Sequence, residues 1–144
     1  MIHKIMHWGY SETSDNVSKL LVRLVIGAIF IFHGYELVRL GTGAVGAAFG
    51  TVGIPAKTFF AVIVPWVQIV GGTAVVLGLY TRLAAKFLIA VAAVALLTVH
   101  VSKGFNVYNG GYEFILLILV SCVSIMIMGA GAYSLDHRMK GTHE

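Results

Sequence analysis

The sequence predicts an all-α integral membrane protein: a four-helix bundle forming a single domain over residues 1–144. Three observations carry this. Hydrophobic residues make up 58% of the chain and charged residues 11%, with a mean hydropathy of +0.90, whereas about a quarter of an ordinary soluble domain is charged. The apolar residues gather into four runs, near 20–40, 59–79, 83–101 and 113–129, and the first three reach the ~20 residues that cross a hydrocarbon core about 30 Å thick. No linker long enough to divide the chain interrupts them, so its 144 residues build one compact unit. Lipid offers no hydrogen-bond partner to a backbone group, so each run is expected to be helical.

The amino-terminal stretch MIHKIMHWGYSETSDN places Ile2, Ile5, Met6 and Trp8 near one face and predicts a short interfacial helix. It is not expected to be a signal peptide, because the first apolar run starts late, is too long and lacks a small-residue cleavage pattern after it. In that run, RLVIGAIFIFHGYELVRL, Arg23 stands at the start and is expected to snorkel to the interface. Gly27 and Gly34, seven apart, favour close helix packing. His33 and Glu36 lie beyond the middle, about 60° apart around the axis, and share a face.

The connection GTGAVGAAFGTVGIP, residues 41–55, is glycine-rich and suits a flexible or re-entrant segment. The second run holds Pro65, expected to kink the helix just before Gln68 and free a carbonyl there, together with Trp66 and the packing glycines Gly71, Gly72 and Gly78. LYTR, residues 79–82, reads as a tight turn. The third run ends at His100, and SKGFNVYNGGYE forms a glycine and asparagine loop. In the fourth run, Glu113 shares a stripe with Ser121 and Ser124, a polar side expected to turn inward. That run is short unless Glu113 and the GAGAY segment extend it. Trp66, Tyr108 and Tyr112 suit interfacial anchors.

Charge sets orientation. Four spans put Lys4, Lys19, Arg23, Arg82, Lys86, Arg138 and Lys140 on one side and Arg39, Lys57 and Lys103 on the other. The excess marks the cytoplasm, so both termini are expected there. These cations sit at the ends of apolar runs and form no basic arm, which argues against nucleic acid as a partner. Cys122 is the single cysteine, within an apolar run, so no intramolecular disulfide or CxxC dithiol can form.

With this orientation the strongly polar residues other than Arg23 converge on the outer half of the bilayer. His33, Glu36 and Glu113 are the candidate catalytic groups, and Gln68, His100 and Trp66 the candidate ligand-binding groups. Ionisable side chains cost about 2.5 to 3.5 kcal/mol at the membrane centre on insertion scales and usually mark a ligand, ion or proton path. Competing readings are that Glu113 and His100 simply reach the interface, and that His33 and Glu36 only lock the bundle. His33, His100 and a carboxylate have metal-binding chemistry, but no compact motif such as HExxH supports it, and no metal site is assigned.

The chain resembles the DoxX family of small four-helix membrane proteins. The resemblance rests on RLVIGAIFIFHG (23–34), GGTAVVLGLYTRLAA (71–85), His100, GGYE (110–113) and GAGAYSLD (129–136), in the expected order along most of the chain. It implies respiratory or redox chemistry: one relative is a membrane subunit of thiosulfate:quinone oxidoreductase, and others are linked to thiol or oxidative-stress systems. By similarity His33, Gly34, Glu113 and Asp136 occupy recurring motif positions. The chain departs from the family at Leu37, where a lysine is common, and at Gln68, where a glutamate is common.

The resulting expectation is a membrane subunit of a redox system, a candidate component of a quinone-linked oxidoreductase, using a polar pocket in the outer half of the bilayer. A quinone needs an apolar slot and donors at its carbonyls. His33 would exchange a proton with one carbonyl, Glu36 or Glu113 would orient it, and Gln68 and His100 would add hydrogen bonds. No covalently bound cofactor is expected, and electrons would come from a partner redox protein or a soluble substrate, since no haem, iron–sulfur or nucleotide motif is visible. The rival is a non-catalytic transporter or assembly subunit. Expected surroundings are membrane lipid and a redox partner or homo-oligomer, in a bacterial or archaeal cell membrane.

Overall fold

A computed structural model describes residues 11–140; the expected interfacial helix at the amino terminus lies outside them. The first helix, α1 (Glu12–Leu40), starts earlier than the apolar run because its entry is well capped. The Ser11 hydroxyl accepts the Ser14 N–H at 3.1 Å, and Glu12 and Asp15 place negative charge in the first turn.

The connection after α1 is not the flexible segment its glycines suggest. Thr42–Thr51 forms a short helix, α2, that buries Val45 and Gly46 against the next helix; an added Cβ on Gly46 would stand 3.7 Å from that of Ala61. Tertiary packing outweighs the propensity cost of its glycines. The chain then forms α3 (Lys57–Leu77), which continues through Pro65, and α4 (Thr81–Ala95). Beyond α4, Leu96–His100 makes a π-helical turn and Val101–Lys103 a 3-10 turn. After the loop come α5 (Glu113–Met128) and α6 (Leu135–Lys140).

Three helical segments, Glu12–Leu40, Lys57–Leu77 and Thr81–Lys103, are long and apolar enough to cross a membrane, and Glu113–Met128 is a shorter apolar helix. At 1.5 Å per residue α5 covers roughly 24 Å. The GAGAY segment does not lengthen it, because Gly129 ends the helix at φ +75°.

In the bundle α1 lies along α3, α3 against α4, α4 against α5, and α5 returns to α1. The core is Ile26 and Phe30 from α1, Val75 from α3, Leu88 and Ala92 from α4, and Cys122 from α5 with its neighbours. The α1–α3 contact is a backbone-to-backbone approach. A Cβ on Gly27 would lie 2.6 Å from the Gly72 carbonyl oxygen, and one on Gly34 would lie 2.7 Å from the Pro65 oxygen. Small residues permit such contact in lipid, where dispersion at close range drives helix association.

Candidate functional site

One end of the bundle is organised around a buried arginine. Arg23 is 1% exposed. It does not snorkel, contrary to the sequence expectation; its guanidinium is used inside the protein. Nε donates to the Val75 carbonyl at 3.0 Å, Nη2 to those of Val76 and Tyr133 at 3.0 Å each, and Nη1 to that of Ala130. Val75 and Val76 lie in the last turn of α3, and Ala130 and Tyr133 follow the end of α5. A fixed cation thus meets carbonyls in the last turn of α3, where the backbone dipoles are negative, and in the segment that follows α5.

The opposite charge caps the opposite kind of terminus. Asp136 accepts N–H bonds from Tyr80 at 2.7 Å and Thr81 at 2.9 Å, at the start of α4, while its own N–H donates to the Gly78 carbonyl at 2.8 Å. Gly78 makes the junction possible: its φ is +69°, and a Cβ there would stand 2.4 Å from that of Ser134 and 2.9 Å from Arg23 Cζ. Asn16 on α1 accepts the Ala132 N–H at 2.8 Å. Residues 129–136 therefore tie α1, α3, α4 and α5 into a clasp. Sequence reasoning missed Arg23 as a network member because its contacts lie 52 to 110 residues away; the signal available was GAGAYSLD, whose glycines and Asp136 foretell a folded turn.

The six residues singled out from sequence fall toward the other end and do not close into one pocket. His33 is exposed, its ring edge-on to Phe32. Glu36 is half-buried and pairs with Arg39 at 2.9 Å on the same helix. Gln68, 7% exposed, packs beside Gly34, and its amide makes no hydrogen bond among the described residues. Trp66 is 55% exposed.

His100 and Glu113 each bind the backbone of the loop between α4 and α5. A carbonyl oxygen only accepts, so the 2.7 Å contact of His100 Nδ1 with the Gly110 oxygen puts a hydrogen on Nδ1. Glu113 accepts the Val107 N–H at 3.1 Å. Glu113 is itself exposed, and Ser121 and Ser124 donate back to Leu117 and Val120 of their own helix. The buried face of α5 is Ile118, Cys122 and Ile125, so its polar stripe does not turn inward as expected.

An apolar groove of about 440 Å³ lies elsewhere, between α3 and α4. Its floor is made of small residues, Gly71, Ala74 and Ala84, and Trp66, Val70 and Phe87 stand along its sides. Tyr80 closes the end nearest the clasp. The groove's lining is apolar apart from the Trp66 N–H and the Tyr80 hydroxyl, so it suits a hydrocarbon chain.

Comparison with known proteins identifies relatives over most of this architecture. The DoxX family model matches residues 18–101, from α1 through the π-helical turn. A Bacillus subtilis protein named "Putative oxidoreductase CatD" is 28% identical over 123 residues, covering 85% of this chain and 87% of that protein. An uncharacterized membrane protein of Mycobacterium tuberculosis is 34% identical over 136 residues, covering 85% and 81%. An uncharacterized protein of Haemophilus influenzae is 35% identical over 121 residues, covering 81% and 87%. No solved structure matches the chain.

Proposed function

The chain belongs to the DoxX family, and from that membership we propose that it is a membrane subunit of a redox system that interacts with quinone. The observation that carries the redox part is the B. subtilis relative bearing an oxidoreductase name, aligned along nearly the whole bundle. The chain's membrane-spanning composition supports a lipid-soluble electron carrier over a soluble one. Gln68 supports a carbonyl ligand: an amide on a membrane span that makes no hydrogen bond among the described residues has both a donor and an acceptor to offer. His33, one position from the Gly34 that packs on Gln68, is the proton-exchanging group in this reading, and electrons reach the quinone from a partner protein or a soluble donor. The orientation that goes with it has both termini in the cytoplasm of a bacterial or archaeal cell.

The test is mass spectrometry of gently purified protein, followed by quinone reduction in membranes. The reading expects quinone to be retained by the wild type and depleted several-fold in Gln68→Leu, and His33→Ala to lose reduction while staying folded. An empty wild type and full activity in His33→Ala would overturn it. A second reading, an assembly subunit or transporter without catalysis, is favoured by one observation: His33 and Trp66 face outward from the bundle, where a partner could cover them. A partner-dependent phenotype that survives replacement of all six polar-site residues would select assembly, and solute uptake by vesicles holding only this protein would select transport.

A further inference from the structure

The stripe by which α1 docks into its own bundle runs on past the point where the bundle covers it. Nearer the clasp, Val22, Ile26 and Ile29 pack on the core cluster. Continued at the same alternating steps of four and three, the stripe reaches His33, Glu36 and Leu40, and there it is open: His33 is exposed, Glu36 half-buried and Leu40 63% exposed. Positions repeating about every 3.5 residues form the seam along which one helix meets another. The seam of α1 is therefore filled by its own core near the clasp and is uncovered away from it.

The uncovered stretch carries hydrogen-bonding groups at a depth where lipid has none. His33 stands seven residues and Glu36 four residues before Leu40, where the span ends, roughly 10 and 6 Å at 1.5 Å per residue. His33 makes no hydrogen bond among the described residues. Glu36 accepts from Arg39 through Oε1, and its Oε2 has no partner among them. An acyl chain offers neither donor nor acceptor, and ionisable groups within a span almost always face protein or water.

A second copy of the chain supplies both missing partners by symmetry. The cation asymmetry inserts every copy the same way, so two α1 helices run parallel with His33 and Glu36 at matching depths. The two side chains lie on either side of the seam, about 60° apart around the helix. A two-fold axis along the membrane normal exchanges left and right, which sets each imidazole beside the other copy's carboxylate. The complementary pair is then made twice, as an isologous contact requires.

We infer that α1 pairs with α1 of a second copy through this open stretch, His33 of each donating to the free carboxylate oxygen of Glu36 of the partner subunit, with Leu40 packed beside the pair. The pairing extends a seam that the bundle already uses, and it does not rest on the redox reading.

The test is energy transfer between copies of the full chain in vesicles of dioleoyl phosphatidylcholine. Thr42, exposed just beyond the span, is replaced by Cys and labelled with a donor or an acceptor dye, Cys122 being buried. Transfer above that of random proximity, with the stoichiometry of a dimer and lost on dilution into lipid, is expected. His33→Leu and Glu36→Leu should each weaken association roughly 10-fold, the loss of two interhelical hydrogen bonds of average strength. Helicity should be unchanged, since neither side chain belongs to the core. The exchange variant, His33→Glu with Glu36→His, keeps one imidazole and one carboxylate on each side of the seam and should restore association. Random transfer in the wild type would overturn the inference. So would association unchanged in both Leu variants, or an exchange variant as weak as they are. A monomeric wild type that still retains quinone would overturn it while leaving the redox reading in place.

Discussion

Replacing Arg23 separates two physical pictures of the same charge. If the side chain merely snorkelled to the interface, Lys would serve as well as Arg and an apolar residue would cost little. The structure instead gives its guanidinium four carbonyl partners on two separate stretches of chain. Hydrogen bonds between membrane helices average about 0.6 kcal/mol and reach about 1.7, so four of them bracket the loss between roughly 2 and 7 kcal/mol. Removing one side of a buried charged arrangement in soluble proteins costs about 3 to 5 kcal/mol, inside that range. We therefore expect Arg23→Met to lose about 3 to 5 kcal/mol. Arg23→Lys should recover only part of this, because an ammonium offers three donors from one point where the guanidinium offers a fork. The assay is reversible unfolding in mixed micelles, titrated with a denaturing detergent and followed by helicity, with thermal unfolding as a second readout. An Arg23→Met variant within about 1 kcal/mol of wild type, or an Arg23→Lys variant indistinguishable from it, would refute the clasp.

Other substitutions probe single contacts. Gly78→Ala should cost at least about 1 to 3 kcal/mol in the same unfolding assay, since the new Cβ meets Ser134 and Arg23 at a φ of +69°. Asp136→Asn should destabilise by about 0.5 to 2 kcal/mol as the charge leaves the start of α4; no change would remove it from the cap. Gly34→Leu should separate α1 from α3 at Pro65 and Gln68, read as lost distance-dependent quenching between labels on the two helices, whereas the same change at exposed Gly43 should be silent. His100→Phe should release Gly110 and raise proteolysis of the loop at residues 101–112 several-fold without unfolding the spans.

Fold class and the placement of the long helices were legible because lipid leaves few choices: an apolar run of sufficient length has to be helical, and glycine and asparagine clusters have to be the exits. Short-range side-chain roles were less so. The stripe of Glu113, Ser121 and Ser124 looks like an inward polar face, but a serine in a helix can satisfy itself on the carbonyl four residues back, as Ser121 and Ser124 do. α2 was hidden because its glycines speak against a helix and only contact with α3 decides the matter. Arg23 shows the same limit in a charge. Its position at the start of an apolar run is compatible with reaching water or with reaching inward, and the choice is made by carbonyls that sequence distance conceals.

The two ends of the bundle thus handle polar groups differently, and that asymmetry bears on where function lies. At the clasp end, the guanidinium of Arg23, the carboxylate of Asp136 and the amide of Asn16 are hydrogen-bonded within the protein, while the Thr81 hydroxyl is buried there without a partner among the described residues. Such a network resists change, and it fixes α1, α3, α4 and α5 relative to one another. Toward the other end, the Gln68 amide makes no hydrogen bond among the described residues and His33 faces outward from a span. An unpaired polar group inside a membrane costs free energy that packing alone gives no reason to retain. The clasp makes that cost tolerable: a bundle anchored firmly at one end can keep unsatisfied donors and acceptors at the other, where a ligand or a partner would satisfy them. Weakening the clasp by Arg23→Lys should then lower stability without changing what binds near Gln68, whereas Gln68→Leu should do the reverse, leaving stability equal or higher and binding diminished. Loss of binding in both variants, in proportion to their loss of stability, would show that the two ends are not separable.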